Sequence, residues 1–247
     1  MSIGIIVANR NYGRWLPQLA ESLENQRFED WHLYLIDYGS TDASHDHYDT
    51  IRNRLGGRVT AVDFDGEADV MPLEAHNHGL DLAVQDGHEF VISFGADDIM
   101  LPEYLWVLHE TLLGDMSKHA AWTAFQGCDK DGIALGKVPD LSDWWDQLPD
   151  LSLIPEPTLF RVSSLQAAGC LHFDWRAFDI LSSIDRHLLL IHHFGGPDSC
   201  AFINEVHFLY RAHARQLSQT RHVKMFDRER ALVSKRFWDR FEETGEA

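Results

Sequence analysis

Three short apolar runs, each cut off by polar residues, constrain this chain more than any other feature of its sequence. Residues 3–8 (IGIIVA) stop at Asn9, residues 31–37 (WHLYLID) stop at Tyr38-Gly39-Ser40, and residues 89–94 (EFVISF) stop at Gly95-Ala96-Asp97-Asp98. Runs this short and this uniformly apolar read as strands covered on both faces. A further strand is expected over residues 58–65 (RVTAVDFD). Helical spacing fills the intervals. Leu16, Leu19 and Leu23, with Trp15 and Ala20 nearby, follow the turn-rich residues 9–13, and a second helical segment covers residues 73–84. Ser40, Thr41 and Asp42 are good N-cap types and predict a helix start after the second strand. Strand and helix alternating at this spacing predict βαβ units on a mostly parallel sheet, an α/β fold with flanking helices.

Open parallel sheets bind ligands in the crevice at the carboxyl ends of their strands. There the sequence places Asn9 and Asn11, Asp37 and Ser40, and Asp97 and Asp98. Taken alone, Asp97-Asp98 has two readings. One is a polar turn that caps the helix starting near Pro102. The other is a metal-binding corner that holds a nucleotide's phosphates. Candidate ligands at three strand ends favour the corner.

Beyond residue 115 the pattern weakens. Residues 120–132 read as a strand running into a turn at Asp131-Gly132, residues 163–169 as a short helix stopped by Gly169, and residues 183–194 as another helix. Residues 139–157 form a loop rich in Pro, Asp and Trp. In it Trp144 and Trp145 stand among Asp140, Asp143, Asp146 and Asp150. Aromatic faces beside carboxylates suit a sugar, since rings cover C–H faces and acids accept hydroxyl hydrogen bonds. The plainer role is to anchor a long loop. Residues 223–243 read as an amphipathic helix with Phe226, Val233, Phe237 and Phe241 on one stripe.

The bulk numbers exclude several classes. A chain of 247 residues fits one large domain, or one domain with a small appendage. Its net charge of -18 argues against nucleic acid as a partner, which needs a basic surface. Residues 211–247 differ, with 9 Lys/Arg against 6 Asp/Glu, so the terminal helix is mildly basic. It could dock on the domain, form a homodimer contact, or lie peripherally on an anionic membrane surface. Cys128, Cys170 and Cys200 are far apart and read as reduced core thiols. No apolar run approaches membrane-spanning length, and the N-terminus lacks a signal-peptide pattern, so a cytoplasmic protein is expected. The close pairs among the 15 histidines (His45/His47, His76/His78, His192/His193) show no zinc-site pattern.

The order and spacing of several segments resemble the family 2 glycosyltransferases, which have the GT-A fold. IGIIVANRNYGRWLPQLAESLENQ is similar to the family's opening strand, turn and first helix, and LYLIDYGSTD to its Asp-Asp-Gly-Ser-Thr-Asp loop. EAHNHGLDLAV resembles its Ala-Arg-Asn-x-Gly-Leu segment, and FVISFGADDIMLPEYL its strand and Asp-x-Asp motif. PEPTLFRVSSLQAAG is similar to its acceptor-side stretch, and LYRAHARQLSQT to its Tyr-Arg-x-His element.

The resemblance implies a GT-A-like domain over residues 1–220, with a nucleotide-binding half (about 1–115), an acceptor half (116–220) and the helix of 221–247 as an extension. It also implies inverting transfer from a nucleoside-diphosphate sugar to a glycan or lipid-linked acceptor. A divalent cation, Mn2+ or Mg2+, would stabilise the leaving diphosphate as a Lewis acid, bound through oxygen ligands. By motif position Asp97 holds the metal and Asp98 supports it, with Ala96 inside the motif. Asn9, Asn11, Asp37 and Tyr38 line the nucleotide side, and His76, Asn77 and Gly79 border it. The acceptor hydroxyl needs a general base; Asp185 takes that place, with Asp179 competing. Asp185 also reads plainly as an acid favoured at a helix N-terminus. Arg211 and His213 could contact the diphosphate and the metal, or be a structural Arg and a surface His.

Four positions depart from the family pattern. Gly95 replaces the first Asp of the Asp-x-Asp motif, Tyr38 a base-recognising Asp, His76 an Arg, and Ile184 a Glu. These departures keep a second expectation open, a catalytically degenerate module that binds a glycan or a protein.

Overall fold

The first apolar run becomes an interior strand of the sheet, flanked on both sides by parallel partners. In this computed structural model, which describes residues 1–65, 73–136, 157–172 and 190–213 apart from 192, strand β1 (Ile3–Asn9) pairs in parallel with β2 (Trp31–Asp37) and with β4 (Phe90–Ser93). Strand β3 (Val59–Asp63) adds in parallel to β2. Helices α1 (Leu16–Glu24), α2 (Ser44–Leu55) and α3 (Leu73–Gln85) connect these strands. The chain continues through β5 (Ile99–Met100), α4 (Tyr104–Gly114), β6 (Ala120–Cys128), β7 (Leu159–Arg161), α5 (Val162–Ala167) and β8 (Cys200–Arg211). All eight strands form one sheet in the order β3-β2-β1-β4-β7-β6-β8-β5.

Alternation along the strands divides the core into two layers. Ile3, Ile5 and Val7 of β1, with Leu33 and Leu35 of β2, face Leu16, Leu19 and Leu23 of α1 and Leu105, Leu108 and Leu112 of α4. Ile6, Tyr34 and Ile36 point the other way, onto Ala75, Leu80 and Ala83 of α3. Both faces are covered, which is why the strand runs are almost wholly apolar. Helix α3 lies close because Gly79 carries no side chain: a Cβ there would stand 2.7 Å from Ile6 Cγ2 and 3.3 Å from Ile36 Cγ1.

The expected mostly parallel sheet is present, and the structure alters the sequence expectations in three places. Parallel pairing holds through β3-β2-β1-β4 and again between β6 and β8, while β7 runs antiparallel to β4 and β6, and β5 antiparallel to β8. Helix α2 starts at Ser44: Ser40 and Thr41 are spent on cross-loop hydrogen bonds, while Asp42 Oδ1 accepts from Ser44 N, the first N–H of the helix, at 2.9 Å. Strand β8 has no counterpart among the expected strands. Its pairing with β6 slips at Thr123/Ala124 and Ala124/Phe125, next to the exposed Asn204 and Glu205. Bulges of this kind break the period-2 pattern by which a strand is recognised. Strand β7, inside the stretch similar to the acceptor side, inserts between β4 and β6 and joins the two halves of the chain into one sheet.

Cys128, Cys170 and Cys200 are buried thiols, as expected. No helix among the described residues is long and apolar enough to cross a membrane. The expected helices of 183–194 (beyond its last residues) and 223–243, and the Trp144/Trp145 loop, lie outside the described residues.

Candidate active site

The polar ends of β1, β2 and β4 lie along one edge of the parallel half-sheet, as their register requires: Asn9 pairs with Asp37, and Asp37 with Asp63. After β4 the chain turns through Gly95–Asp98, and Asp98 N donates to Gly95 O at 3.4 Å. Strand β5 then locks onto the end of β8, with Ile99 opposite Leu209 and Met100 opposite Phe208. That register brings the last residues of the described chain to the corner.

Asp97 and Asp98 have different environments. Asp98 is buried, and its Oδ1 accepts a 2.8 Å hydrogen bond from the backbone N of Arg211. Burial first, and then the neighbouring Asp97 charge, push its carboxyl well above the ordinary range, against the pull of Arg211. Asp97 is slightly exposed, and its Oδ2 pairs with His213 Nε2 at 2.8 Å. Ala96 turns inward and belongs to the core with Phe94 and Met100. Gly95 is crowded by the carboxylates that follow it: a Cβ there would stand 2.7 Å from Asp98 Oδ2 and 2.9 Å from Asp97 Oδ1.

Arg211 lies beneath the corner and is fully buried. Its Nε donates to Asp97 O, its Nη1 to Asp129 O (3.2 Å) and Lys130 O (2.8 Å), and its Nη2 to Gln18 Oε1 (2.7 Å). The guanidinium therefore ties the corner, the 129–132 turn and α1 together. These acceptors engage all three of its nitrogens, which leaves little for the diphosphate contact expected from the sequence.

The nucleotide side is built around Asp37. Its Oδ2 accepts from Asn9 Nδ2 at 2.8 Å and from Tyr48 OH, and its Oδ1 from Gly39 N (3.1 Å) and Ser40 N (2.8 Å). Burial opposes ionisation, but hydrogen bonds from Ser40, Tyr48 and Asn9 overcome it and hold the carboxyl below its ordinary value. Asn11 adopts a left-handed φ of 62°, a conformation Asn tolerates better than most residues. Its Oδ1 accepts from Thr41 N (2.7 Å) and Asp42 N (3.2 Å). Tyr38 is half-buried and packs against the core layer of Ile6 and Ile36, with the Arg10 guanidinium carbon 5.9 Å from its ring centre. Burial is the main cause that pushes its hydroxyl up to about 12. His76 and Asn77 are half-buried on α3, whereas Gly79 faces the sheet.

Two groups could be considered for a cation. Asp37, His45 and Asp63 place ligand atoms within 4.8 Å of one another. Asp37 already accepts four hydrogen bonds there, which fill its lone-pair sites. Asp97 and His213 fit better. Two atoms bound cis to one ion at about 2.1 Å lie about 3 Å apart, close to the spacing of this pair. A carboxylate with an imidazole suits Mn2+, and substrate phosphates can complete such a shell.

The structure thus brings Asp97, Asp98, Arg211 and His213 to one corner and Asn9, Asn11, Asp37 and Tyr38 to the adjoining strand ends. Asp185 and Asp179 lie outside the described residues. Sequence reasoning missed Trp15, Gln18 and Tyr48 as parts of the site. All three stand on helical faces where periodicity marks core or surface, so nothing local distinguishes them.

Residues 2–132 match the family model of glycosyl transferase family 2. No curated protein matches the chain. Among solved structures, S. aureus TarS 1-349 in complex with UDP-GlcNAc is similar at a TM-score of 0.66 and 17% identity, over 87% of this chain and 60% of that one. The mannosyltransferase PcManGT from Pyrobaculum calidifontis, in complex with GDP-Man and Mn2+, gives 0.63 and 16% over 99% of this chain and 65% of that one. Glucosyl-3-phosphoglycerate synthase from Mycobacterium tuberculosis, in complex with Mn2+, UDP and glucosyl-3-phosphoglycerate, gives 0.56 and 17% over 100% and 81%. At such identities the likeness is one of fold. The chain spans only 60% of the TarS structure it matches.

Proposed function

Because the chain belongs to glycosyl transferase family 2, we propose that it transfers a sugar from a nucleoside-diphosphate sugar to an acceptor hydroxyl, with inversion and with a divalent cation held by Asp97 and His213. The observation that carries this reading is the 2.8 Å approach of Asp97 Oδ2 to His213 Nε2, across 116 residues of sequence. Nothing in the folding of a βαβ unit requires a carboxylate and an imidazole to meet at the mouth of the crevice. Solved structures of this fold carry Mn2+ together with GDP-Man or UDP.

Mn2+ or Mg2+ at this pair would supply Lewis-acid stabilisation of the charge that develops on the diphosphate. The chain's own residues do the rest. Asn9, Asn11 and Asp37 fix the 38–42 loop, so that Tyr38 presents an aromatic face and a hydroxyl to the nucleotide. Arg211 holds the corner from below, and Asp98 anchors it to β8 through the Arg211 backbone. Asp185 takes the proton of the acceptor hydroxyl as its oxygen bonds to the anomeric carbon and the bond to the diphosphate breaks. The base assignment rests on the family resemblance. The acceptor is a glycan or a lipid-linked saccharide, met by the 116–220 half. A basic helix over 221–247 would hold the protein at an anionic membrane surface, and absence of binding to anionic vesicles in flotation would end that part of the proposal.

The test is donor turnover across a panel of nucleotide-sugars with and without Mn2+. Asp97→Ala should lower the metal-dependent rate by about 100-fold or more, in the range set by losing a main electrostatic stabiliser. Wild-type turnover by Asp97→Ala at saturating Mn2+ would overturn the metal assignment. Asp185→Asn should keep donor binding and lose transfer. If Asp179→Asn does so instead, the base is Asp179. A degenerate module would bind no nucleoside diphosphate at millimolar concentration, with or without Mn2+.

A further inference from the structure

We infer that Trp15 is a positioning residue for the cation site, holding the His213 imidazole in ligating orientation before any ion arrives; the inference rests on the metal reading above. His213 lies two residues beyond the end of β8, where no strand pairing orients its ring. Asp97 Oδ2 holds its Nε2 at 2.8 Å, and neighbouring rings flank its faces. The indole of Trp15 packs against it with centroids 4.2 Å apart and planes tilted by 37°. Tyr12 meets the same imidazole edge-on at 5.5 Å and packs on Trp15 at 5.3 Å.

Trp15 is itself fixed on several sides. It is 7% exposed and stands at the N-cap of α1. Its backbone N donates to Tyr12 O at 2.9 Å, and its Nε1 donates to Lys130 O at 3.1 Å. The same Lys130 carbonyl accepts Arg211 Nη1 at 2.8 Å. One carbonyl therefore joins the indole behind His213 to the guanidinium beneath Asp97. The two sides of the pair share this anchor, and Nε2 and Oδ2 themselves meet in a direct 2.8 Å contact.

The chemistry explains why such a wall matters. Asp97 and His213 are only two protein ligands, so each must already point at the ion for binding to compete with hydration. Groups that orient a ligating histidine typically change metal affinity by roughly 10–100-fold. Trp15 does this by packing on the ring face. The flat face matters, and the bulk of the side chain does not suffice.

The experiment is Mn2+ binding to the full chain, read as free Mn2+ by electron paramagnetic resonance, alone and with UDP or GDP. Trp15→Met keeps a flexible apolar side chain, smaller and without a flat face, and should weaken Mn2+ by roughly 10–100-fold. Trp15→Phe keeps a ring and loses the Nε1 bond, and should recover most of that loss. Melting temperature in EDTA separates a general loss of stability from a loss at the site. In metal-free wild type, the His213 ring protons, assigned with His213→Gln, should show an upfield ring-current shift. That measurement needs no Trp15 variant to fold. Wild-type Mn2+ affinity in a folded Trp15→Met, or no ring-current shift, overturns the inference while His213→Ala and Asp97→Ala still lose Mn2+. If those two variants keep full Mn2+ affinity, the metal reading itself fails.

Discussion

Asp37 shows how one side chain can organise a loop. It is 2% exposed and accepts hydrogen bonds from two side chains and two backbone N–H groups. Asp37→Asn would turn an amide NH2 toward donors and leave buried donors unpaired, at a cost of about 2–4 kcal/mol. The check is a denaturant melt together with nucleotide affinity, and both should fall. Gly95 is the second informative residue. Its replacement of the motif's first Asp is matched by its surroundings, because the space a Cβ would need lies 2.7 Å from Asp98 Oδ2. Asp98 cannot simply swing away, since Arg211 N holds its other oxygen. Gly95→Asp should therefore destabilise by about 1–3 kcal/mol and fail to raise turnover. A stable, faster Gly95→Asp variant would refute this account. The identity of Gly95 was legible in the sequence, but its crowding by Asp97 and Asp98 was not.

At the scale of elements, the parallel units were readable and the rest was not. Residues 31–37 were expected as a strand and form β2 (Trp31–Asp37), because a short run buried on both faces has a plain pattern. Residues 73–84 were expected as helical and form α3 (Leu73–Gln85). Its close seating on β1 and β2 depends on Gly79. Gly79→Ala would press a methyl onto Ile6 and Ile36 and should cost about 1–3 kcal/mol. For a chain of this size that lowers the melting temperature by roughly 2–4 °C per kcal/mol. Strand β8 escaped the sequence because it is bulged against β6 and exposes Asn204 and Glu205 mid-strand. Helix α2 begins at Ser44 because Ser40 serves the loop, its Oγ accepting from Asn11 N, while Asp42 does both tasks: Oδ2 accepts from Gly13 N and Oδ1 from Ser44 N at the helix start.

For the whole molecule, the buried titratable groups set a direction for stability against pH. His32 and His88 have lowered pKa values, with burial as the largest cause for each, and burial likewise leads for His119. The native state keeps them neutral, while the unfolded chain takes up protons near pH 6.5. Their contribution is therefore complete above about pH 6.5 and is lost as pH falls toward the lowered native values. Asp37 has the same sign at lower pH: its contribution is complete above its unfolded pKa of about 3.9 and lost as pH falls through the lower native value. Asp98 has the opposite sign: burial raises its carboxyl, so its contribution is present below the unfolded pKa and lost as pH rises through the raised native value. The histidine share is therefore read by difference: His88→Gln should lose less melting temperature than the wild type on acidification between about pH 7 and 5. Equal losses in the two proteins would contradict the assignment.

Composition and local pattern determined the strand–helix alternation, the polar strand ends and the place of Asp97, because each depends on neighbours within a few residues. The tertiary structure alone decided that His213 reaches Asp97, that Arg211 is spent on backbone carbonyls beneath the corner, and that Trp15 stands behind the imidazole. Those outcomes follow from the antiparallel register of β5 with β8 and from the bulges that set where β8 ends. Register across about a hundred residues is chosen by competition among whole-strand packings. Such a choice leaves no periodic trace in the segments it brings together.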